Sequence, residues 1–321
     1  MPYISKSSYK SPYFLYNGHI QTIFPALFRK VKTVKYNRER IITPDDDFLD
    51  LDWSAQNTQQ EKLIILTHGL EGNSSSRYIL GMVRALNNVG FDTLSWNMRS
   101  CSGEINKQLR FYHSGAYEDL DFVIRHASKT YSKIYLVGFS LGGNITLKYL
   151  GTKGKELENS NIVKCLTFSV PCHLESSALK LAKRSNKIYL KRFLKSLKAK
   201  IIAKNELLPN QLNIDNILNI KDFFDFDNEY TGPIHGFKNA HDYYSKCSSV
   251  FVLDKITIPT LLINAQNDPF LSPECFPYEQ AFESSYFHLE TPNSGGHCGF
   301  ITLKNGTNWA EERAVKYFLD K

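Results

Sequence analysis

Short apolar runs alternate with amphipathic stretches along most of this chain. Lys62-Leu-Ile-Ile-Leu-Thr67, Lys133-Ile-Tyr-Leu-Val137 and Ile258-Pro-Thr-Leu-Leu-Ile-Asn264 are unbroken apolar runs of strand length. Strands buried on both faces need that pattern, because neither side of the pleat meets water. Gly143-Asn-Ile-Thr-Leu-Lys-Tyr-Leu150 instead gathers its apolar residues on one helical face. The pattern predicts strands near 34–42, 48–54, 62–67, 91–96, 133–137, 163–170, 258–265 and 285–290. It predicts helices over 76–88, 116–128, 141–151 and 307–319. Strands alternating with helices make an α/β fold, a mostly parallel sheet with helices on both faces. Such a sheet binds ligands at the carboxyl ends of its strands.

Residues 172–246 break this rhythm and predict a helical insertion, a lid, between two parts of the core, 1–171 and 247–321. Lys180, Lys183, Arg184, Lys187, Lys191, Arg192, Lys195, Lys198, Lys200 and Lys204 crowd the insertion with no acidic residue among them. Of these, Lys180, Arg184, Lys187, Lys191, Lys195 and Lys198 recur at helical spacing. Leu190, Phe193, Leu194, Leu197 and Ile201 recur on another face. The plain reading is an amphipathic helix with a solvated basic side. A functional reading has that side lean on an anionic membrane surface or on acyl-CoA phosphates.

Gly138-Phe-Ser-Leu-Gly142 lies where the strand at 133–137 meets the helix at 141–151. Strand, G-x-S-x-G and helix together make a nucleophile elbow, a turn so tight that the flanking positions nearly exclude side chains. The bare motif also reads as a Gly/Ser-rich turn; the strand before it and the helix after it favour the elbow. The Ser140 hydroxyl would stand at a helix N-terminus, whose dipole favours developing negative charge.

In this architecture the acid and the histidine follow the serine in that order. Asp268, in Asn267-Asp-Pro269 just beyond an apolar strand, is the acid, although Asn-Asp-Pro is also a turn signal. Glu175, after the strand at 163–170, is the fallback position. His297, in Ser294-Gly-Gly-His-Cys-Gly299, sits in a glycine-flanked loop able to reach the serine, so it is the general base. His288, His235 and His241 lack a serine or an acid in a suitable place. The oxyanion hole takes the N–H of Leu141, after the nucleophile, and that of Leu70 in the His68-Gly-Leu-Glu-Gly72 loop. His68 itself is expected to hold the loop. His113 and Asp119 form a pair that an acyltransferase could use, but Ser114 and Glu118 beside them read as helix-capping groups.

At these residues the sequence resembles the α/β-hydrolase superfamily. It is most similar to the YheT-like branch, which also contains eukaryotic abhydrolase-domain lipases and yeast medium-chain ethyl-ester synthases. The closer match is carried by Asn17-Gly-His-Ile-Gln-Thr-Ile-Phe-Pro25, the 68–72 loop, Asn97-Met-Arg-Ser-Cys-Ser-Gly103 and Tyr112-His-Ser-Gly-Ala-Tyr-Glu-Asp119. Gly138-Phe-Ser-Leu-Gly-Gly143, Asn267-Asp-Pro269 and Gly295-Gly-His-Cys-Gly-Phe300 complete it. It spans about residues 12–318 and departs at Met98-Arg99-Ser100, where relatives often carry Asn-Arg-Gly. The resemblance implies an α/β-hydrolase fold with an eight-stranded type of sheet. It also implies a serine hydrolase of carboxylic esters, with acyl transfer to an alcohol as a variant.

Composition narrows the alternatives. With 42% hydrophobic residues the 321-residue chain can bury one large core. Cys101, Cys165, Cys172, Cys247, Cys275 and Cys298 show no C-x-x-C, so unpaired thiols in a reducing compartment are expected. The first ten residues lack the apolar stretch of a secretion signal, and no run nears the ~20 residues of a membrane span. These features predict a cytoplasmic protein. The net charge of +7 comes largely from the insertion, and dinucleotide, Walker and nucleic-acid motifs are missing. Triad chemistry calls for no metal or organic cofactor. The reading is therefore a serine esterase acting on a small-molecule or lipid-like ester with a short-to-medium acyl chain. Acyl transfer to an alcohol, or a non-catalytic ligand-binding protein on the same fold, are the alternatives.

Overall fold

A computed structural model describes residues 3–4, 6–31, 34–55, 61–302 and 307–320. Among the described residues nine strands form one sheet: β1 (Tyr3–Ile4), β2 (Asn37–Ile42), β3 (Phe48–Ser54), β4 (Lys62–Thr67), β5 (Asp92–Asn97), β6 (Lys133–Phe139), β7 (Ile162–Phe168), β8 (Thr260–Ile263) and β9 (Phe287–Glu290). Their order is β1-β9-β8-β7-β6-β4-β5-β3-β2. All pairings are parallel except β2 with β3 and β3 with β5. The sheet thus has one strand more than the resemblance implies, because the two-residue β1 adds to the β9 edge.

Strand polarity explains the apolar runs. Along β4, Leu63 and Ile65 face one core while Ile64 and Leu66 face the other. Along β6, Ile134 and Leu136 alternate with Tyr135, Val137 and Phe139 in the same way. Two helices cover one face: α2 (Arg77–Asn87) supplies Ile79, Met82, Val83 and Leu86, and the C-terminal helix Trp309–Leu319 supplies Ala310, Ala314 and Phe318. The other face is covered by α3 (Tyr117–Ala127) and α4 (Leu141–Lys153), through residues such as Leu120, Val123 and Ile145.

Outside the insertion the pattern predicted neither the helix at Gly18–Phe28 nor the short one at Tyr278–Glu283. Gly18–Phe28, α1, starts at Asn17, whose side chain accepts from the Ile20 N–H at 2.9 Å. Pro25 lies inside it and interrupts the sequence signal of a helix. Ser100, at the departure from the Asn-Arg-Gly pattern, has φ +61°, a conformation glycine takes at no cost.

Between β7 and β8 the chain leaves the sheet. It forms α5 (Leu174–Leu181), α6 (Lys187–Leu207), the short turns α7 (Phe223–Phe226) and α8 (Gly232–Ile234), and α9 (Ala240–Cys247). The basic stripe expected from Lys180 to Lys198 is not one face of one helix. The chain breaks after Leu181, and the Asn186 side chain holds the break by donating to Lys180 O and Pro269 O, each at 2.9 Å. Within α6 the cations divide. Lys187, Lys191 and Lys195 are exposed, Lys200 pairs with Glu71, and the buried Lys204 donates to Asn106 and Gln108 carbonyls. Two helices close the order, α10 (Tyr278–Glu283) and the C-terminal α11 already described. Among the described residues no helix is long and apolar enough to cross a membrane.

Candidate active site

Ser140 directly follows β6, with φ +52° and ψ −123°, a strained backbone for a residue with a side chain. Close packing forces the flanking glycines. A Cβ at Gly138 would lie 2.7 Å from Gly143 Cα, and one at Gly142 would lie 2.2 Å from His68 O. Ser140 Oγ lies 2.8 Å from His297 Nε2, and His297 Nδ1 lies 2.8 Å from Asp268 Oδ2. With Nδ1 against a buried carboxylate, that nitrogen holds the proton and Nε2 is left to accept from the serine hydroxyl. The three residues are separated by up to 157 positions in sequence, yet each follows the carboxyl end of its strand, β6, β8 or β9. Asp268 also accepts the Phe270 N–H at 2.8 Å, and the Phe270 ring stacks on His297 with centroids 4.0 Å apart.

The 68–72 loop packs against the nucleophile: a Cβ at Gly69 would come within 3.1 Å of Ser140 Cβ. Among the described residues, neither the Leu70 N–H nor the Leu141 N–H donates to a protein acceptor, and both residues border the same pocket. His68 braces the loop, with Nδ1 donating to Gly69 O at 2.8 Å and Nε2 accepting the Met98 N–H at 3.1 Å. Burial lowers its pKa to about 4, so the ring is neutral, as an accepting Nε2 requires. Glu71 adopts φ +55°, and its buried carboxylate accepts from Tyr112 OH at 2.6 Å, from Lys200 Nζ at 2.7 Å and from Ser196 Oγ.

The other candidates have partners of their own. Glu175 pairs with His241 Nδ1 at 2.8 Å on the surface. Asp119 is held by both Arg99 Nε and Nη2, at 2.8 and 2.9 Å, while His113 Nδ1 accepts the Gly115 N–H. That pair is therefore part of the packing and not a dyad.

Sequence reasoning named the three residues that the structure brings together and missed what holds them. The His297 N–H donates to Thr22 Oγ1 at 2.8 Å, and the Gly295 N–H donates to Gln21 Oε1 at 2.7 Å. Gln21 Oε1 also accepts from Asn267 Nδ2, and Asn267 Oδ1 accepts the Gly296 N–H. So α1 clamps the loops carrying the histidine and the acid. The only signal for this was the Asn17–Pro25 motif, which carries no chemistry on its face.

An apolar pocket opens above Ser140. Phe193, Leu197 and Ile201 of α6 line it together with Phe223, Phe226 and Phe270, whereas Leu190 and Leu194 of the same predicted face pack in the core behind it. Asp227 is the buried exception in this wall. It accepts from Thr231 Oγ1 at 2.5 Å and Tyr244 OH at 2.7 Å. Burial raises its pKa from 3.8 to about 6, with the two hydroxyl bonds pulling the other way. Between those pH values the native state keeps a proton that the unfolded chain has lost, so native stability falls as pH rises through that window. Asp227→Asn has no such loss. Relative to the parent, its stability should improve from pH 4 to pH 7 by on the order of 2–3 kcal/mol. Denaturant titrations at both pH values measure this; parallel curves for the two proteins would rule out a raised pKa.

Comparisons with known proteins give the family. A family model described as the alpha/beta hydrolase fold matches residues 62–302. YheT of Escherichia coli (strain K12), a proposed esterase, is 34% identical over 306 residues, covering 92% of this chain and 88% of that protein. A human phospholipase, ABHD3, is 27% identical, covering 94% and 75%. A monoacylglycerol lipase of Saccharomyces cerevisiae is 28% identical, covering 87% and 63%. Among solved structures, an esterase of Pyrococcus furiosus superposes with a TM-score of 0.60 at 17% identity, covering 90% of this chain and 94% of that one. With a family model matched over most of the chain and a relative above 30% identity over nearly its whole length, the chain belongs to the α/β-hydrolase family, in its abhydrolase-domain lipase and esterase branch.

Proposed function

We propose that Ser140, His297 and Asp268 hydrolyse a carboxylic ester of a short-to-medium acyl chain through an acyl-enzyme. The coarser statement is established by descent: the protein is a carboxylic ester hydrolase, since its relatives are named esterase, phospholipase and monoacylglycerol lipase. The observation that carries the finer reading is the unbroken line from Ser140 Oγ through His297 to Asp268, two contacts of 2.8 Å, at the floor of an apolar pocket.

The steps follow from the contacts. Ser140 Oγ attacks the ester carbonyl while its proton passes to His297 Nε2. Asp268 stabilises the imidazolium without taking the proton. The negative charge on the former carbonyl oxygen is met by the N–H groups of Leu70 and Leu141. As the tetrahedral intermediate collapses, His297 returns its proton to the departing alkoxide, leaving acyl-Ser140. Water, deprotonated by the same nitrogen, then releases the acid and restores the serine hydroxyl.

Residues 172–246 act in this reading as a lid, separate from the core parts 1–171 and 247–321. Phe193, Leu197 and Ile201 cover the acyl chain, and the exposed basic side of α6 is the part of the lid that meets an anionic surface. All six cysteines are free, which supports a reducing compartment such as the cytoplasm.

A series of p-nitrophenyl esters tests the acyl pocket. Each added methylene should raise kcat/KM by at most about fourfold, equivalent to about 0.8 kcal/mol, until the pocket fills. A steady decline from acetate onward would exclude a lipid-like acyl chain. Labelling by a fluorophosphonate probe separates an esterase from a binding protein, because only an activated serine is phosphonylated.

A further inference from the structure

The clamp helix α1 has a second face. Its inner side holds the triad loops through Gln21 and Thr22. Its C-terminal end, with the turn before it, exposes large apolar residues: Tyr13 at 89%, Tyr16 at 78%, Phe28 at 65% and Leu27 at 58% of full accessibility. Tyr13 and Phe28 are the two ends of one ridge of ring contacts. Tyr13 packs edge-on against Phe14 at 5.7 Å, Phe14 against Phe24 at 6.0 Å, and Phe24 against Phe28 at 5.2 Å. Single exposed apolar residues are ordinary, but a contiguous aromatic ridge marks a surface that meets something.

Helix α1 itself adjoins the start of α6, on its His19 side. His19 of α1 stacks on Tyr189 of α6, with Nδ1 3.1 Å from Tyr189 OH. Tyr189 packs on Phe270, and Phe270 on His297, so this junction stands directly over the site. Beside Tyr189 the surface exposes Ile188 together with Lys183, Arg184, Lys187 and Lys191.

Charge decides between occupants. Residues 1–38 and 176–205 contain no Asp or Glu, while they hold seventeen of the chain's 39 Lys and Arg. The rest of the chain has 22 basic residues against 32 acidic ones. Several of these cations are neutralised locally, Arg29 by Glu311, Arg38 by Asp52 and Lys200 by Glu71, and Lys204 is buried, so the exposed positive charge over the site is that of Lys183, Arg184, Lys187 and Lys191. A second copy of the chain docked by the same face would set cation against cation. Aromatic side chains bordered by Lys and Arg match the interface of a bilayer with anionic headgroups.

We propose that the α1 ridge and the exposed basic start of α6 form a docking face for an anionic lipid bilayer, bringing the pocket mouth to the membrane surface. That the bilayer supplies the acyl substrate rests on the esterase reading; the docking itself does not.

The test separates the two. Full-length Ser140→Ala protein is sedimented with vesicles of phosphatidylglycerol and phosphatidylcholine in equal parts, and with phosphatidylcholine alone. Binding is expected only to the anionic vesicles, weakening as salt screens the headgroups. In the same background, Tyr13→Ser/Tyr16→Ser/Phe28→Ser should lower the partition coefficient about tenfold or more, and Lys187→Glu/Lys191→Glu should do likewise. With Ser140 restored, the ridge variant should hydrolyse a soluble short-chain ester at the parent rate. If the triple variant fails to fold, Phe28→Ser alone is read in the same assay, with a smaller loss expected. The proposal is overturned if the parent ignores anionic vesicles, if it binds neutral ones as well, or if the ridge variants bind undiminished. A concentration-dependent dimer that the ridge substitutions dissolve would also overturn it, assigning the ridge to a second copy. A failed esterase reading would show separately, as ester hydrolysis surviving Ser140→Ala.

Discussion

Ser140→Ala should reduce ester hydrolysis by on the order of a million-fold in kcat, with the fold retained. The size of the effect follows from the geometry. Without the hydroxyl there is no acyl-enzyme, and His297 Nε2 loses the group whose proton it removes at 2.8 Å. What remains is the oxyanion hole and substrate positioning, which alone give a residual acceleration of about 10³–10⁴ over water. The substitution is also structurally mild. Alanine keeps the Cβ that packs near Gly69, and it relieves nothing in the φ +52° backbone that the strand-to-helix turn imposes. Thermal unfolding should therefore change little while activity disappears. Activity within tenfold of the parent would remove Ser140 from the mechanism.

Much of the sheet was legible because its strands are buried on both faces. Leu63 to Leu66 must all be apolar when alternate residues feed two cores, and that produces the unbroken run. The elbow was legible for a related reason: contacts of 2.2 and 2.7 Å at Gly142 and Gly138 admit no other residue, so the sequence carries the mark of the geometry. The clamp was not legible. Gln21 and Gly295 are 274 positions apart, and a buried glutamine in a helix interrupted by Pro25 has no periodic signature. The insertion was misread in one respect. Spacing alone ran Lys180 and Arg184 into the same helix as Lys187. What ends α5 and restarts the chain as α6 is Asn186 reaching Pro269, a tertiary contact. Nor does spacing tell a solvated lysine from Lys204, which is buried against carbonyls. Local pattern thus marks the elements that repeat, while the parts that converge on the site from distant segments leave no local mark.

Asp268→Asn should lower kcat by on the order of 10⁴ while leaving substrate binding almost unchanged. The aspartate has two tasks, and asparagine keeps the shape of only one. Asp268 Oδ1 accepts the Phe270 N–H at 2.8 Å, which fixes the loop, and an amide oxygen there can do the same. Oδ2 faces His297 Nδ1 at 2.8 Å. In the variant an NH₂ group takes that place, and it donates. The imidazole must then accept at Nδ1 and carry its proton on Nε2, where it points at Ser140 and blocks the transfer. The imidazolium that forms during attack also loses its buried counter-charge. Glu175 offers no rescue, since it lies on the surface against His241. The acid can then be identified by pH. If the tautomer is the fault, the variant should regain part of its rate under alkaline conditions, where hydroxide supplies the base that His297 no longer provides. A nearly silent Asp268→Asn, combined with a large loss in Glu175→Gln, would move the acid to Glu175 at the start of α5.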